Sequence, residues 1–214
     1  MERRDRAGLA SFFVETMPET DGVLDLEGEA LQHALVRRLR ATDRVRLLDG
    51  AGRVALGSVA EAGKKSMRVS VQSIRQDPRP VALEVIVPVA AKDRMLWTAE
   101  KCAELQVTAW RPVVFARSRS VEGRGEGDRF SERVVARMRS AIEQSGGAWL
   151  PEVHPVTPFT SALAAVSTDS QRFVLDASGT ALAAQVHSGP AALVVGPEGG
   201  LESQELDEAL AAGY

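Results

Sequence analysis

The chain contains one cysteine, Cys102, in 214 residues. That excludes an internal disulfide framework and any cysteine-rich zinc site. Histidine is nearly as scarce: His33, His154 and His187 are scattered without ligand spacing, so no metal is expected. Long apolar runs are missing as well. The longest, Val81 to Ala91, is interrupted by Glu84 and Pro88, which is too short and too polar to span a bilayer. The N-terminus MERRDRAGLASFFVE sets basic residues beside a short apolar patch mixed with acids, which is not the layout of a secretory signal. No phosphate-loop lysine motif and no G-x-S-x-G occur anywhere, so nucleotide-triphosphate and serine-hydrolase chemistry have no support. The expectation is a soluble, cytoplasmic protein with no membrane association.

What the chain does have is segregated charge. The net charge is −3, which taken alone argues against nucleic acid. Residues 1–30 hold 3 basic and 8 acidic side chains, whereas residues 31–75 hold 10 basic and 3 acidic. From residue 76 onward the count is 13 against 18. A cationic segment inside an acidic protein, with Arg37, Arg38 and Arg40 clustered in it, is the footprint of a phosphate-contacting surface. The competing interpretation is a solvated helix face.

Two rhythms divide the chain. Up to Ile74, short alternating stretches (LASFFV at 9–14, RVRLL at 44–48, RVALGSV at 53–59, SMRVSVQSI at 66–74) predict strands, with one helix from Glu29 to Leu39 among them. This gives a small β-barrel-like domain over 1–76. QDPRP at 76–80 reads as a linker because proline and its preceding residue favour extended chain. Beyond it, apolar strands at 83–89, 111–116, 172–176 and 191–195 alternate with helices at 93–105, 131–144, 159–166 and 202–212. Gly213 is placed to cap the last helix. Near-continuous apolar strands between helices predict a parallel α/β sheet over 80–214, with ligands at the carboxyl ends of its strands.

Two glycine-rich stretches are ordinary. DGAGRVALG (49–57) lacks dinucleotide-loop spacing and reads as a hairpin, and EGRGEGD (122–128) reads as a surface loop. GPEGG (196–200) differs, because it follows an apolar strand and precedes a helix. Residues without Cβ let backbone groups approach a ligand, and proline pre-shapes the loop. From Thr160 to Tyr214 there is one basic residue, Arg172, against seven acids. Such surroundings suit a neutral or cationic ligand better than a phosphate, and S-adenosylmethionine fits that description. A plain strand-to-helix turn is the simpler alternative.

RRLRATDRVRLLDGAGRVALG, AAKDRMLWTAEKCAELQV, ARSRS, AIEQSGGAWLPEV and LVVGPEGGLESQELDEALAAGY, in this order, resemble the ribosomal RNA small subunit methyltransferase E family of the SPOUT superfamily. The resemblance implies a PUA-like RNA-binding domain followed by an α/β domain with a deep trefoil knot, one of the rare exceptions to unknotted topology. It implies an S-adenosylmethionine-dependent enzyme, acting as a homodimer, that methylates N3 of a uridine in 16S rRNA of the 30S subunit. Leu175, Asp176, Val195, Gly196, Pro197, Glu198, Gly199, Gly200 and Leu201 would hold the cofactor. Arg37, Arg38, Arg40, Lys92, Lys101, Arg117, Ser118, Glu143, Gln144 and Ser145 would face the RNA. Arg94 is the candidate to stabilise charge on the reacting base, and Glu198 is either the general base or a brace for its loop.

Three departures from the family pattern stand out. Glu202 occupies the N-cap in place of Ser or Thr, Gln106 stands where the family has Gly, and Gly147 stands where it often has Arg. The family also continues past the position of Tyr214 with a segment that completes the knot, so a protein ending there is expected to bind cofactor poorly. Another SPOUT methyltransferase, acting on tRNA or a ribose 2′-OH, and a non-catalytic RNA-binding protein remain alternatives.

Overall fold

The computed structural model describes residues 9–18, 22–63, 65–118, 128–181 and 188–214. Of the surface loop expected at 122–128, all but Asp128 lies outside them. Six elements come first: β1 (Ala10–Phe13), β2 (Val23–Leu26), α1 (Gly28–Val36), β3 (Arg44–Leu48), β4 (Arg53–Ala62) and β5 (Met67–Gln76). They are followed by β6 (Leu83–Pro88), α2 (Lys92–Glu104), β7 (Ala109–Val113), α3 (Asp128–Ser145) and β8 (Glu152–Val153). The chain closes with α4 (Phe159–Ala164), β9 (Gln171–Leu175), β10 (Ala191–Val195) and α5 (Ser203–Ala211). These elements form two compact units, Met1–Arg79 with Arg139–Leu150, and Pro80–Met138 with Pro151–Tyr214.

In the first unit the strand order is β1-β3-β4-β5-β2. β1 runs parallel to β3 and the other neighbours are antiparallel, so the unit is built on a mixed half-barrel sheet. Alternation in β5 sends Met67, Val69 and Val71 inward while Arg68 and Gln72 face solvent. Those three join Phe12, Val45, Leu47, Ala55 and Val59 in the core, with Leu31 and Ala34 of α1 packed on it. Gly57 is needed where β4 shifts register against β5, because a Cβ there would lie 2.5 Å from the Ser70 carbonyl oxygen.

α1 stops at Val36, three residues short of the expected Leu39. The chain turns left-handed at Arg38 (φ 55°), where the Arg38 N–H donates to Leu35 O at 3.0 Å and the Leu39 N–H to Ala34 O at 3.4 Å. This is a helix stop of the kind glycine usually makes, here made by an arginine. The last turns of α3 and the residues after it complete this unit. Arg139 stacks on Phe13 with its guanidinium carbon 4.3 Å from the ring centre. The Leu150 N–H donates to Gly50 O at 2.8 Å, and the Gly52 N–H to Ala148 O at 2.9 Å.

The second unit is the expected parallel α/β sheet, ordered β8-β7-β6-β10-β9 with every pair parallel. Ile86, Val113, Phe115, Phe159, Leu163, Ala192 and Val194 build the core under α4 and α5. The second strand expected in this unit, at 111–116, begins and ends earlier, since Phe115 to Ser118 closes a turn through the Ser118 N–H and Phe115 O at 2.9 Å. α5 ends as expected at Gly213 (φ 87°), with Gly213 N–H to Leu210 O and Tyr214 N–H to Ala209 O, both 3.0 Å. From β6 the chain moves outward to β7 and β8, then returns on the far side so that β10 lies between β6 and β9. The reversal puts a crevice at the carboxyl ends of β6 and β10.

Candidate functional site

A cavity of about 930 Å³ occupies that crevice within the second unit. Its floor is apolar: Val85 and Val87 of β6, Met95 and Cys102 of α2, and Trp110 of β7. Burial pushes the Cys102 thiol up to about 12, so this sulfur is a packing group and not a nucleophile. The rim is polar and comes from three segments: Arg94, Trp97 and Thr98 on α2, Arg117 and Ser118 after β7, and Val195 to Gly199 after β10. Trp97 is 61% exposed, a large aromatic face left open at the mouth.

The glycine loop has a defined shape. Pro197 O accepts the Gly200 N–H at 2.8 Å, and Gly200 adopts φ 74°, a turn conformation that favours glycine. A Cβ on Gly196 would come within 3.2 Å of Leu201 Cγ, so the loop packs against its own following residue. Glu198 forms an ion pair with Arg94. Both partners are largely exposed, 77% and 54%, so solvent screens the pair and it can separate at little cost. Arg117 Nη1 donates to Gly199 O at 2.8 Å, and its Nε lies 3.8 Å from Glu202 Oε1.

Glu205, one turn into α5, accepts from the Glu202 N–H and from the Ala116 N–H, each at 2.8 Å. The N-terminal turn of α5 is thereby capped by its own third residue, despite the missing Ser or Thr.

The cavity gathers Arg94, Arg117, Ser118, Val195, Gly196, Pro197, Glu198 and Gly199. Gly200 completes the turn, and Leu201 packs against the α4–α5 core. Leu175 ends β9 and Asp176 follows it, on the far side of β10 from β6, and neither lines the cavity. The Asp176 carboxylate accepts from the Ser178 hydroxyl at 2.6 Å and the Ser178 N–H at 2.9 Å, which holds its pKa below the ordinary value.

Of the residues expected to face RNA, Lys92 is exposed at the start of α2. Lys101 is instead engaged by Glu104 and Glu100, at 2.9 and 3.0 Å, which raises its pKa. Trp97, Thr98, Met95 and Trp110 were not singled out in the sequence. Their signal was the spacing of Arg94, Thr98 and Cys102 on one helical face, after the Ala90–Ala91 link between β6 and α2.

In the first unit, Arg37, Arg38 and Arg40 are all exposed. They sit on a turn pinned by Arg40 N–H to Asp43 Oδ2 and Thr42 N–H to Val59 O, both 2.8 Å. No acid pairs with Arg38 or Arg40 among the described residues, whereas Arg68, Arg75, Arg111 and Arg137 each have a carboxylate partner. Gln144 and Ser145 are exposed. Glu143 differs from the expectation. Its side chain is 12% exposed and points inward, accepting the Phe13 N–H at 2.6 Å and lying 3.4 Å from His33 Nδ1. Desolvation raises its pKa. A carboxylate so placed is an internal tether and has no face to offer RNA.

Residues 77–214 match the RNA methyltransferase domain family, and residues 26–72 match the RNA methyltransferase PUA domain family. The ribosomal RNA small subunit methyltransferase E of Mycobacterium bovis is 30% identical over 206 residues, covering 91% of this chain and 78% of that protein. The chain belongs to the ribosomal RNA small subunit methyltransferase E family. The family member from Neisseria gonorrhoeae, solved bound to S-adenosyl methionine, superposes with a TM-score of 0.83 at 26% identity, covering 96% of this chain and 87% of that one. A Legionella pneumophila protein solved with the same cofactor shares the fold, with a TM-score of 0.82 at 20% identity, covering 97% of this chain and 87% of that one. The half-barrel and the parallel sheet are therefore the PUA-like and SPOUT-type α/β parts that the resemblance implied.

Proposed function

We propose that this protein is an S-adenosylmethionine-dependent methyltransferase acting on N3 of a uridine in 16S rRNA of the small ribosomal subunit. The observation that carries this reading is the glycine loop at the β6/β10 crevice, in a chain that belongs to this family. The loop fits the cofactor. It presents backbone with almost no side chain, and the segment around it is acidic apart from Arg172. Gly196 to Leu201 would hold the cofactor, which supplies a methyl group on a cationic sulfur.

The chain's own contribution is alignment. A uridine N3 is hidden by pairing or stacking, so the base must leave its stack to reach the cavity. Loss of the N3 proton leaves an anion across the imide, and Arg94 stands at the rim where such charge develops. Glu198 is proposed as the partner that holds Arg94 in place. The arginine turn of the first unit, with Gln144 and Ser145, supplies the RNA-holding surface. A homodimer in the cytoplasm is the expected working form.

Methylation of purified 30S subunits by the full chain, with N3-methyluridine read by mass spectrometry, tests this reading. Methyl transfer to free tRNA or to a ribose 2′-OH, or no detectable cofactor binding in calorimetry, would overturn it.

A further inference from the structure

We infer that Arg117 is a positioning residue for the cofactor loop and not a contact for RNA; this deepens the proposed function and rests on it for the loop's ligand. Three links join the turn Phe115–Ser118 to the segment Gly199–Glu205. Arg117 Nη1 donates to Gly199 O at 2.8 Å, Arg117 Nε faces Glu202 Oε1 at 3.8 Å, and the Ala116 N–H donates to Glu205 Oε1 at 2.8 Å. The arginine stem also packs on the loop, since a Cβ on Gly199 would lie 3.3 Å from Arg117 Cδ and 3.4 Å from its Cβ. The turn that presents Arg117 is itself closed, with the Phe115 N–H donating to Ser118 Oγ at 3.3 Å.

Two consecutive glycines give the backbone many accessible conformations, and a ligand read through that backbone must bear the cost of fixing it. Arg117 removes this freedom in advance. Its planar guanidinium holds the Gly199 carbonyl while Glu202 steadies the guanidinium from the helix side. The Gly199–Gly200 peptide is then fixed at both ends, by Arg117 at its oxygen and by Pro197 O at the Gly200 N–H, 2.8 Å away. Glu205 performs the matching task from α5, tying the Glu202 N–H and the Ala116 N–H to one carboxylate. With two of its donor groups directed at Gly199 and Glu202, Arg117 is a poor candidate for gripping a phosphate.

The test compares Arg117→Ala and Arg117→Lys in the full chain. Calorimetry reads S-adenosylmethionine affinity, steady-state methylation reads KM for 30S subunits, and amide hydrogen exchange reads the 196–201 backbone without ligand. Arg117→Ala is expected to weaken cofactor binding roughly tenfold, leave the KM for 30S subunits within about twofold, and speed exchange in the loop. Arg117→Lys, which keeps one donor to Gly199, is expected to recover part of each loss. A raised KM for 30S subunits with unchanged cofactor affinity and unchanged exchange would make Arg117 an RNA contact and overturn the inference. If the wild-type chain binds no cofactor, the functional reading fails while the exchange measurement still decides the brace. Unchanged exchange in both variants sinks it.

Discussion

The carboxylate of Glu143 accepts the backbone N–H of Phe13 at 2.6 Å, joining positions 130 residues apart in sequence. Glu143→Ala leaves a half-buried amide without its acceptor, which costs about 1–3 kcal/mol. Glu143→Gln keeps an acceptor oxygen and is expected to be close to neutral. Urea unfolding of the two variants measures the difference.

The same residue sets a pH dependence. Burial raises the Glu143 pKa above its ordinary 4.5, so the folded chain holds this proton more readily than the unfolded one. Its contribution is fully present below pH 4.5 and is lost as pH rises through the raised value. Stability of the wild type relative to Glu143→Gln should therefore fall across that window as pH increases. A flat difference between pH 4 and 7 would contradict the burial argument.

Gln106 sits at φ 59° after α2, with its N–H on Ala103 O at 3.2 Å and the Val107 N–H on Cys102 O at 2.9 Å. This is a left-handed helix stop occupied by a residue with a Cβ. Gln106→Gly should raise stability by up to about 1 kcal/mol, the left-handed strain relieved less the extra freedom of the unfolded chain. The melting temperature reports it, and methylation activity should not change.

Replacing Arg38 and Arg40 together by Gln should weaken RNA binding and lower the slope of log affinity against log salt by about 1 to 2. Cofactor affinity should stay unchanged. Filter binding of 16S rRNA fragments across a salt series separates this from a general loss of fold.

Cys102, with its thiol pushed up to about 12, should resist Ellman's reagent at pH 8 in the folded protein. It should react with one equivalent after denaturation. Rapid reaction in the native state would mean that the cavity floor opens.

The strand and helix periods made most of the fold legible. RVRLL and AALVV became β3 and β10 at their expected bounds. β2 and β8 were not visible, because four and two residues are too short for alternation to register. The cofactor loop was legible because glycine and proline announce backbone geometry in their identity. The tether of Glu143 was not, since a charge beside Gln144 and Ser145 looks like surface until a distant amide arrives to bury it. The link from Arg117 to Gly199 O was hidden for a similar reason: the residue type says cation, and only the fold says which oxygen it meets.

The placement of β10 has a consequence for synthesis. β10 pairs with β6 across more than a hundred residues of intervening chain, as in Ala191 beside Leu83. Until β10 emerges, β6 lacks a neighbour on that side and β9 has nothing to dock on. Contacts so distant in sequence make for slow folding. The nascent chain thus remains without its crevice until Ala191–Val195 has been made, long after β6.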